Sequence, residues 1–255
     1  MLNVHEHIKA VFQEKGGTPL FYVESGSRLW GIASPDSDYD VRGVHLPSKA
    51  HYFDFRRHRD LIEIMDGDFD FVSYDLDKLF GLLAKSNPTV LEWLRAHIVY
   101  QNEYPGFEHF KAQVLANIDY KALFHHYVSI AKGQFALMES DRAFTYKKVF
   151  CCIRGLMSAE LASKQVMPEL LIEQLLDQTK HRKELVTLAK NSLEAKRQQA
   201  EKQGVPEKAR SEIMMVLRNE LERLGSREVQ RSNKREVLEG LLTAEALRLK
   251  GVYYF

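Results

Sequence analysis

The sequence describes an α+β protein: a small mixed sheet with flanking helices, followed by an all-α part. Two observations carry that reading. Strand-like runs alternate with helical periodicities over roughly the first 110 residues, and after Pro105 the strand signals fade while helix-forming sequence continues to the end. No internal repeat or low-complexity linker separates the halves, so a division at 1–112 and 113–255 is expected to join two packed parts rather than two tethered ones.

Ile8, Val11 and Phe12 recur at helical spacing over residues 4–14, and Gly16-Gly17 ends that first helix. Pro19 to Glu24 is aromatic and apolar, as a buried strand is, and runs into Ser25-Gly26-Ser27. Asp38–Leu46 and Asp68–Ser73 are the next expected strands. Leu76, Leu79, Phe80 and Leu83 restore the helical period until Asn87-Pro88, and Thr89 with Glu92 has the capping-box spacing for a new helix. Long helical stretches follow, with further helices over about 206–225 and 234–250.

With 255 residues and 45% hydrophobic content, the chain has enough apolar sequence for a sizeable core. It contains no run of 18 uncharged apolar residues, and its start lacks a basic region ahead of an apolar block, so no membrane partner and a cytoplasmic location are expected. The two cysteines, Cys151 and Cys152, are adjacent and read as core thiols, since neighbours can hardly bridge each other. Residues 1–115 hold 12 Lys+Arg against 17 Asp+Glu, and residues 116–255 hold 24 against 18. That asymmetry suits a metal-holding part beside a polyanion-holding part, although solvated helix faces produce differences of the same size.

The informative stretch runs from Gly26 to Gly43. In a strand, alternate residues share a face, so Asp38 and Asp40 set two carboxylates side by side with Arg42 next along. Neighbouring carboxylates repel and are costly to desolvate, and a hard divalent cation such as Mg²⁺ or Mn²⁺ relieves both problems. Gly26-Ser27 offers free amides and a hydroxyl suited to a triphosphate. The plainer reading makes Pro35-Asp36-Ser37-Asp38 a polar turn that opens a strand.

The full run G-S-x-x-x-G-x-x-x-x-x-S-D-x-D resembles the signature of polymerase β-type nucleotidyltransferases, with Gly26, Ser27, Ser37, Asp38 and Asp40 at the matching positions. Tyr74-Asp75-Leu76-Asp77-Lys78 and Asn87-Pro88-Thr89-Val90-Leu91-Glu92 are similar to the YcgL-like branch associated with RNA repair, and fainter likeness continues through Tyr127–Gly133 and Tyr146–Arg154. The likeness spans roughly residues 20–165.

The resemblance implies a polymerase β-like first domain and transfer of a nucleoside monophosphate from an NTP to a hydroxyl, such as an RNA end, with release of pyrophosphate. It implies two Mg²⁺ or Mn²⁺ ions held by Asp38, Asp40 and a third carboxylate. Asp70 is foremost for that third place; Asp68 would share its facing, and Asp66 falls in a turn with Gly67. Gly26, Ser27, Arg28 and Ser37 would bind the nucleotide, with Lys147, Lys148 and Arg154 as further cations, unless those three are ordinary solvated helix residues. A protein side chain or small molecule as acceptor, or a nucleotide-binding module without turnover, are the competing readings. Trp30 and Tyr39 beside the motif could stack on a base but are more simply packing. His5, His7, His125 and His126 lack companions at metal spacing, and the basic stretch 180–202 reads first as a solvated helix face and second as an RNA contact.

Overall fold

The structure, a computed structural model, describes residues 3–33, 37–140, 144–198, 204–230 and 234–255. The elements in order are α1 (Val4–Lys15), β1 (Thr18–Glu24), α2 (Gly26–Leu29), β2 (Tyr39–Leu46), α3 (Lys49–Phe53), β3 (Leu61–Asp66), β4 (Phe69–Asp75), α4 (Leu76–Leu83), α5 (Pro88–Arg95) and β5 (Val99–Asn102). Seven helices follow: α6 (Phe107–Ala116), α7 (Tyr120–Glu139), α8 (Tyr146–Ala162), α9 (Ile172–Gln178), α10 (Lys183–Gln198), α11 (Glu207–Gly225) and α12 (Lys234–Tyr254).

The chain forms two compact units, one of Met1–Leu29, Asp38–Ile118 and Asn233–Phe255, the other of Trp30–Ser37 and Asp119–Ser232. The expected division at residue 112 therefore needs correcting at the C-terminal end, because α12 returns to the first unit. Side-chain chemistry explains the return: Tyr104 donates to Glu245 at 3.0 Å, Arg248 to the Pro105 carbonyl at 2.6 Å, Lys250 to Asp77 at 2.6 Å and Tyr254 to the Pro47 carbonyl at 2.8 Å.

The first unit is built on a five-stranded mixed sheet in the order β3-β4-β2-β1-β5. β2 pairs antiparallel with β1 and parallel with β4, with Asp40 opposite Asp70 and His45 opposite Asp75. On one face, Val4, Ile8, Val11 and Phe12 of α1 bury Tyr22, Val41, Phe69 and Phe71, which removes a large apolar area from water. Beneath α1, the Ser73 hydroxyl links the Tyr22 hydroxyl at 2.6 Å and His45 Nδ1 at 2.7 Å, so the buried polar groups are satisfied. Because strand residues alternate, Asp40, Arg42 and Asp70 project from the other face.

Two strands were not anticipated: β3, and the four-residue edge strand β5. β3 joins β4 through Gly67-Asp68, with Asp66 opposite Phe69 and Gly67 at φ +56°, where a side chain would be strained. The start of α5 also differs from the capping-box reading, since Asn87 is the cap, accepting from the Thr89 amide at 3.0 Å with Pro88 in the first turn.

In the second unit α7 and α8 cross closely at Gly155, where a Cβ would meet Ala131 Cβ and the Tyr127 carbonyl at 3.2 Å. Neither cysteine is in a disulfide, and Cys152 is buried, its Sγ 3.4 Å from the Ala131 carbonyl; burial, with a smaller effect of Cys151, pushes its thiol up to about 12. No helix among the described residues is long and apolar enough to cross a membrane.

Candidate active site

The Asp40–Asp70 pair arises from strand register. Residues 40 and 70 lie opposite each other in the parallel β2–β4 ladder, and Arg42, two residues along β2, shares their face. Its guanidinium bridges them. Nη2 donates to Asp40 Oδ1 at 2.9 Å and Asp70 Oδ2 at 2.7 Å, while Nη1 donates to Asp70 Oδ1 at 3.1 Å and the Asp70 carbonyl at 2.6 Å. All three side chains are mostly buried, with 16% exposure for Arg42, 28% for Asp40 and 23% for Asp70.

The backbone of Asp40 is held from β1. Its amide donates to Glu24 Oε1 at 2.9 Å, and its carbonyl accepts from the Ser25 amide at 2.9 Å. Glu24 is fully buried and also accepts a short hydrogen bond from the Tyr100 hydroxyl. Burial raises the Glu24 carboxyl above its ordinary range, against the bonds from Tyr100, Asp40 and Ser25 and the charge of Arg28. Burial and then the Glu24 bond likewise raise the Tyr100 hydroxyl. Neither residue stood out in the sequence, because a glutamate ending a strand and a lone tyrosine carry no spacing signal.

Gly26 sits against Asp40. Its φ is +61°, and a Cβ there would lie 2.2 Å from Asp40 Oδ2, so the position excludes a side chain on two counts. Ser27 is half-buried at the start of the one-turn α2. Arg28 donates from Nε to the Asp38 carbonyl at 3.1 Å, and its guanidinium lies 4.2 Å from the centre of the Tyr39 ring. Tyr39 thus packs on Arg28.

Asp38 lies one residue before β2 and is exposed. Asp68 is an exposed turn residue rather than the strand residue expected, and its carbonyl accepts from the Tyr39 amide at 2.7 Å. Asp66 ends β3. Ser37 is 5% exposed in the second unit. In that unit Arg154 stacks 4.1 Å from the centre of the Trp30 ring and is 6% exposed, so it is not an ordinary solvated cation. Lys147 is exposed and Lys148 half-buried on the same helix, α8. The basic stretch 180–202 falls on α10 with Leu185, Ala189 and Leu193 buried; residues 199–202 lie outside those described.

Asp40 and Asp70 are hard oxygen donors facing one another, which fits a divalent cation in chemistry. Among the described residues, however, no group of three or more His, Cys, Asp or Glu side chains is disposed to hold a metal ion. Arg42 bridges the pair, and Asp38 precedes β2 rather than sharing its strand face as expected.

A mixed sheet presenting paired aspartates behind a Gly-Ser turn defines the polymerase β-like class. The chain belongs to the RNA repair pathway DNA polymerase beta family, which matches residues 3–244. It is 31% identical over 194 residues to the uncharacterized protein YcgL of Bacillus subtilis, covering 75% of each chain. It is 32% identical over 142 residues to the uncharacterized protein MJ0002 of Methanocaldococcus jannaschii, covering 54% of this chain and 57% of the other. A nucleotidyltransferase-like protein from Exiguobacterium sibiricum aligns over 96% of this chain and 80% of its own, at 13% identity and a TM-score of 0.35. The family supports nucleotidyl transfer in general terms.

Proposed function

We propose that this chain transfers a nucleoside monophosphate from an NTP to the hydroxyl of an RNA end, releasing pyrophosphate, in the cytoplasm. The observation that carries the proposal is the Asp40–Asp70 pair. Strands 30 positions apart in sequence bring two carboxylates together, bridged by the Arg42 guanidinium, and neighbouring carboxylates of this kind are costly to hold without cations. The RNA acceptor is supported by the family's description as an RNA repair pathway family.

Asp38, Asp40 and Asp70 would hold two Mg²⁺ or Mn²⁺ ions, which when bound supply charge neutralisation of the triphosphate and a lowered pKa for the attacking hydroxyl. The chain's own groups do the positioning. Gly26 lets the backbone lie directly against the Asp40 carboxylate, where any side chain would collide with it. The Ser27 hydroxyl and the Arg28 guanidinium are the donors on this turn for phosphate oxygens, and Ser37 precedes Asp38 at the end of the motif. Glu24 fixes the Asp40 amide, holding the start of β2 in place.

The test is incubation with each of the four α-labelled NTPs and Mg²⁺ or Mn²⁺, with an RNA pool, with a protein mixture, or with neither. Label should join RNA, and Asp70→Asn should reduce the yield by about a thousandfold or more, equivalent to about 4 kcal/mol of barrier. Label on protein or a small molecule instead would overturn the RNA acceptor. No transfer under any condition, with NTP still bound, would leave a binding module and sink the enzyme reading.

A further inference from the structure

Arg42 accounts for more of the carboxylate pair than a salt bridge requires. Of the four side-chain oxygens of Asp40 and Asp70, its two terminal nitrogens take three: Asp40 Oδ1 at 2.9 Å, Asp70 Oδ2 at 2.7 Å and Asp70 Oδ1 at 3.1 Å. The fourth, Asp40 Oδ2, lies 2.2 Å from where a Gly26 Cβ would be. Two backbone carbonyls, of Val41 at 3.1 Å and Asp70 at 2.6 Å, hold Nη1 in place. A divalent ion drawing on both carboxylates therefore meets oxygens already engaged by a planar fork whose geometry matches carboxylates.

Charge points the same way. Two carboxylates with one guanidinium sum to −1, with one divalent ion to 0, and with both cations to +1. One divalent ion balances the pair by itself, and the two cations together overshoot in a half-buried setting where unbalanced charge is costly.

We infer that Arg42 is an internal counter-ion that competes with divalent metal for Asp40 and Asp70, so that metal binding is coupled to release of its guanidinium. The inference rests on the proposed metal role of that pair. It makes Arg42 a positioning residue that sets how readily the site takes metal.

The experiment is a Mn²⁺ titration of the full chain, read by the free-ion EPR signal, with wild type, Arg42→Gln, Arg42→Lys and Asp70→Asn. Arg42→Gln should bind Mn²⁺ about tenfold more tightly than wild type. Arg42→Lys should fall between, since a point charge cannot span both carboxylates. Because Arg42→Gln could fail to fold, the wild-type Arg42 Nε–Hε resonance gives a second readout: it should lose protection from solvent exchange on Mg²⁺ addition. Mn²⁺ bound by wild type, lost in Asp70→Asn and unchanged or weakened in the Arg42 variants overturns this inference alone, as does an Arg42 resonance indifferent to Mg²⁺. No Mn²⁺ binding in wild type or either Arg42 variant overturns the metal reading beneath it as well.

Discussion

Each unit of the molecule gathers two carboxylates among cations, and the two clusters are built to opposite charge balances. In the helical unit the Glu160 side chain, 4% exposed, meets Lys164 at 2.8 Å, Arg223 at 2.7 Å, Arg227 at 2.9 Å and His181 at 3.4 Å. Glu220 beside it shares Arg223 and also pairs with Arg182. Two carboxylates there are surrounded by three guanidinia and an ammonium. In the sheet unit, two more exposed carboxylates share one guanidinium. In the helical cluster cations outnumber carboxylates and tie helices together, whereas in the sheet pair two carboxylates are bridged by the Arg42 guanidinium.

That contrast can be broken by mutation. Glu160→Gln should cost about 3 kcal/mol, because a buried carboxylate loses its charge-assisted hydrogen bonds to the part-exposed Lys164, Arg223 and Arg227, while Asp70→Asn should change stability by no more than about 1 kcal/mol, since it also relieves carboxylate repulsion. Urea unfolding checks both, and the chain's two tryptophans report separately, Trp93 from the sheet unit and Trp30 from the helical one. Equal losses at the two clusters would erase the distinction.

Lowering the pH sharpens it with a smaller effect. Burial, helped by the charge of His51 and partly opposed by a bond to the Tyr74 backbone, lowers His45 from 6.5 to about 4. The unfolded chain binds that proton more readily, so the stability from a neutral His45 is complete above about pH 6.5 and is lost as pH falls towards 4, about 2–3 kcal/mol in all. For Glu160, burial acts upward, but hydrogen bonds from Lys164 and Arg223, the charge of Arg223 and a bond from Arg227 outweigh it and hold the carboxyl well below the ordinary range. Its contribution is therefore complete above the unfolded value of about 4.3 and is lost at lower pH. The sheet unit should weaken first and the helical unit second, with the first window absent in His45→Gln.

The smallest effect separates the motif glycine from its neighbours. Gly26→Ala should cost about 1–2 kcal/mol through its left-handed backbone and the collision with Asp40. Gly81→Ala on α4, where a Cβ meets nothing within 4 Å, should be neutral or stabilising by up to about 1 kcal/mol. Thermal unfolding of the two variants side by side decides the point.

Much of this was legible in sequence wherever periodicity is strong. The first helix, the strands through Val23, Val41 and Phe71, and the helices carrying Leu79, Val90 and Leu217 fall where apolar spacing puts them. β3 escaped although Leu61-Ile62-Glu63-Ile64-Met65 is apolar and Asp66-Gly67 is a hairpin signal, because the basic segment before it masks the strand's start. β5 is too short to show alternation. Asp70 stands out in the sequence for its strand setting, but its pairing with Asp40 depends on which strands adjoin and in what direction. The Arg42 bridge and the Glu24 anchor depend on that same topology, as does the return of α12, and none of the three has a local signature.

The parallel ladder gives the chain between residues 40 and 70 a parity. A slip of β4 by one position along β2 would turn Asp70 under α1 beside Val41, and push Phe69 and Phe71 out where the carboxylate had been. Homologues that lengthen or shorten the crossover by any amount can keep the pair only while the strand itself stays in phase. Natural length variation in this family should accordingly collect in the connection between Pro47 and Asp60 and spare the two-residue Gly67-Asp68 turn, whose length sets the face of the sheet from which Asp70 projects.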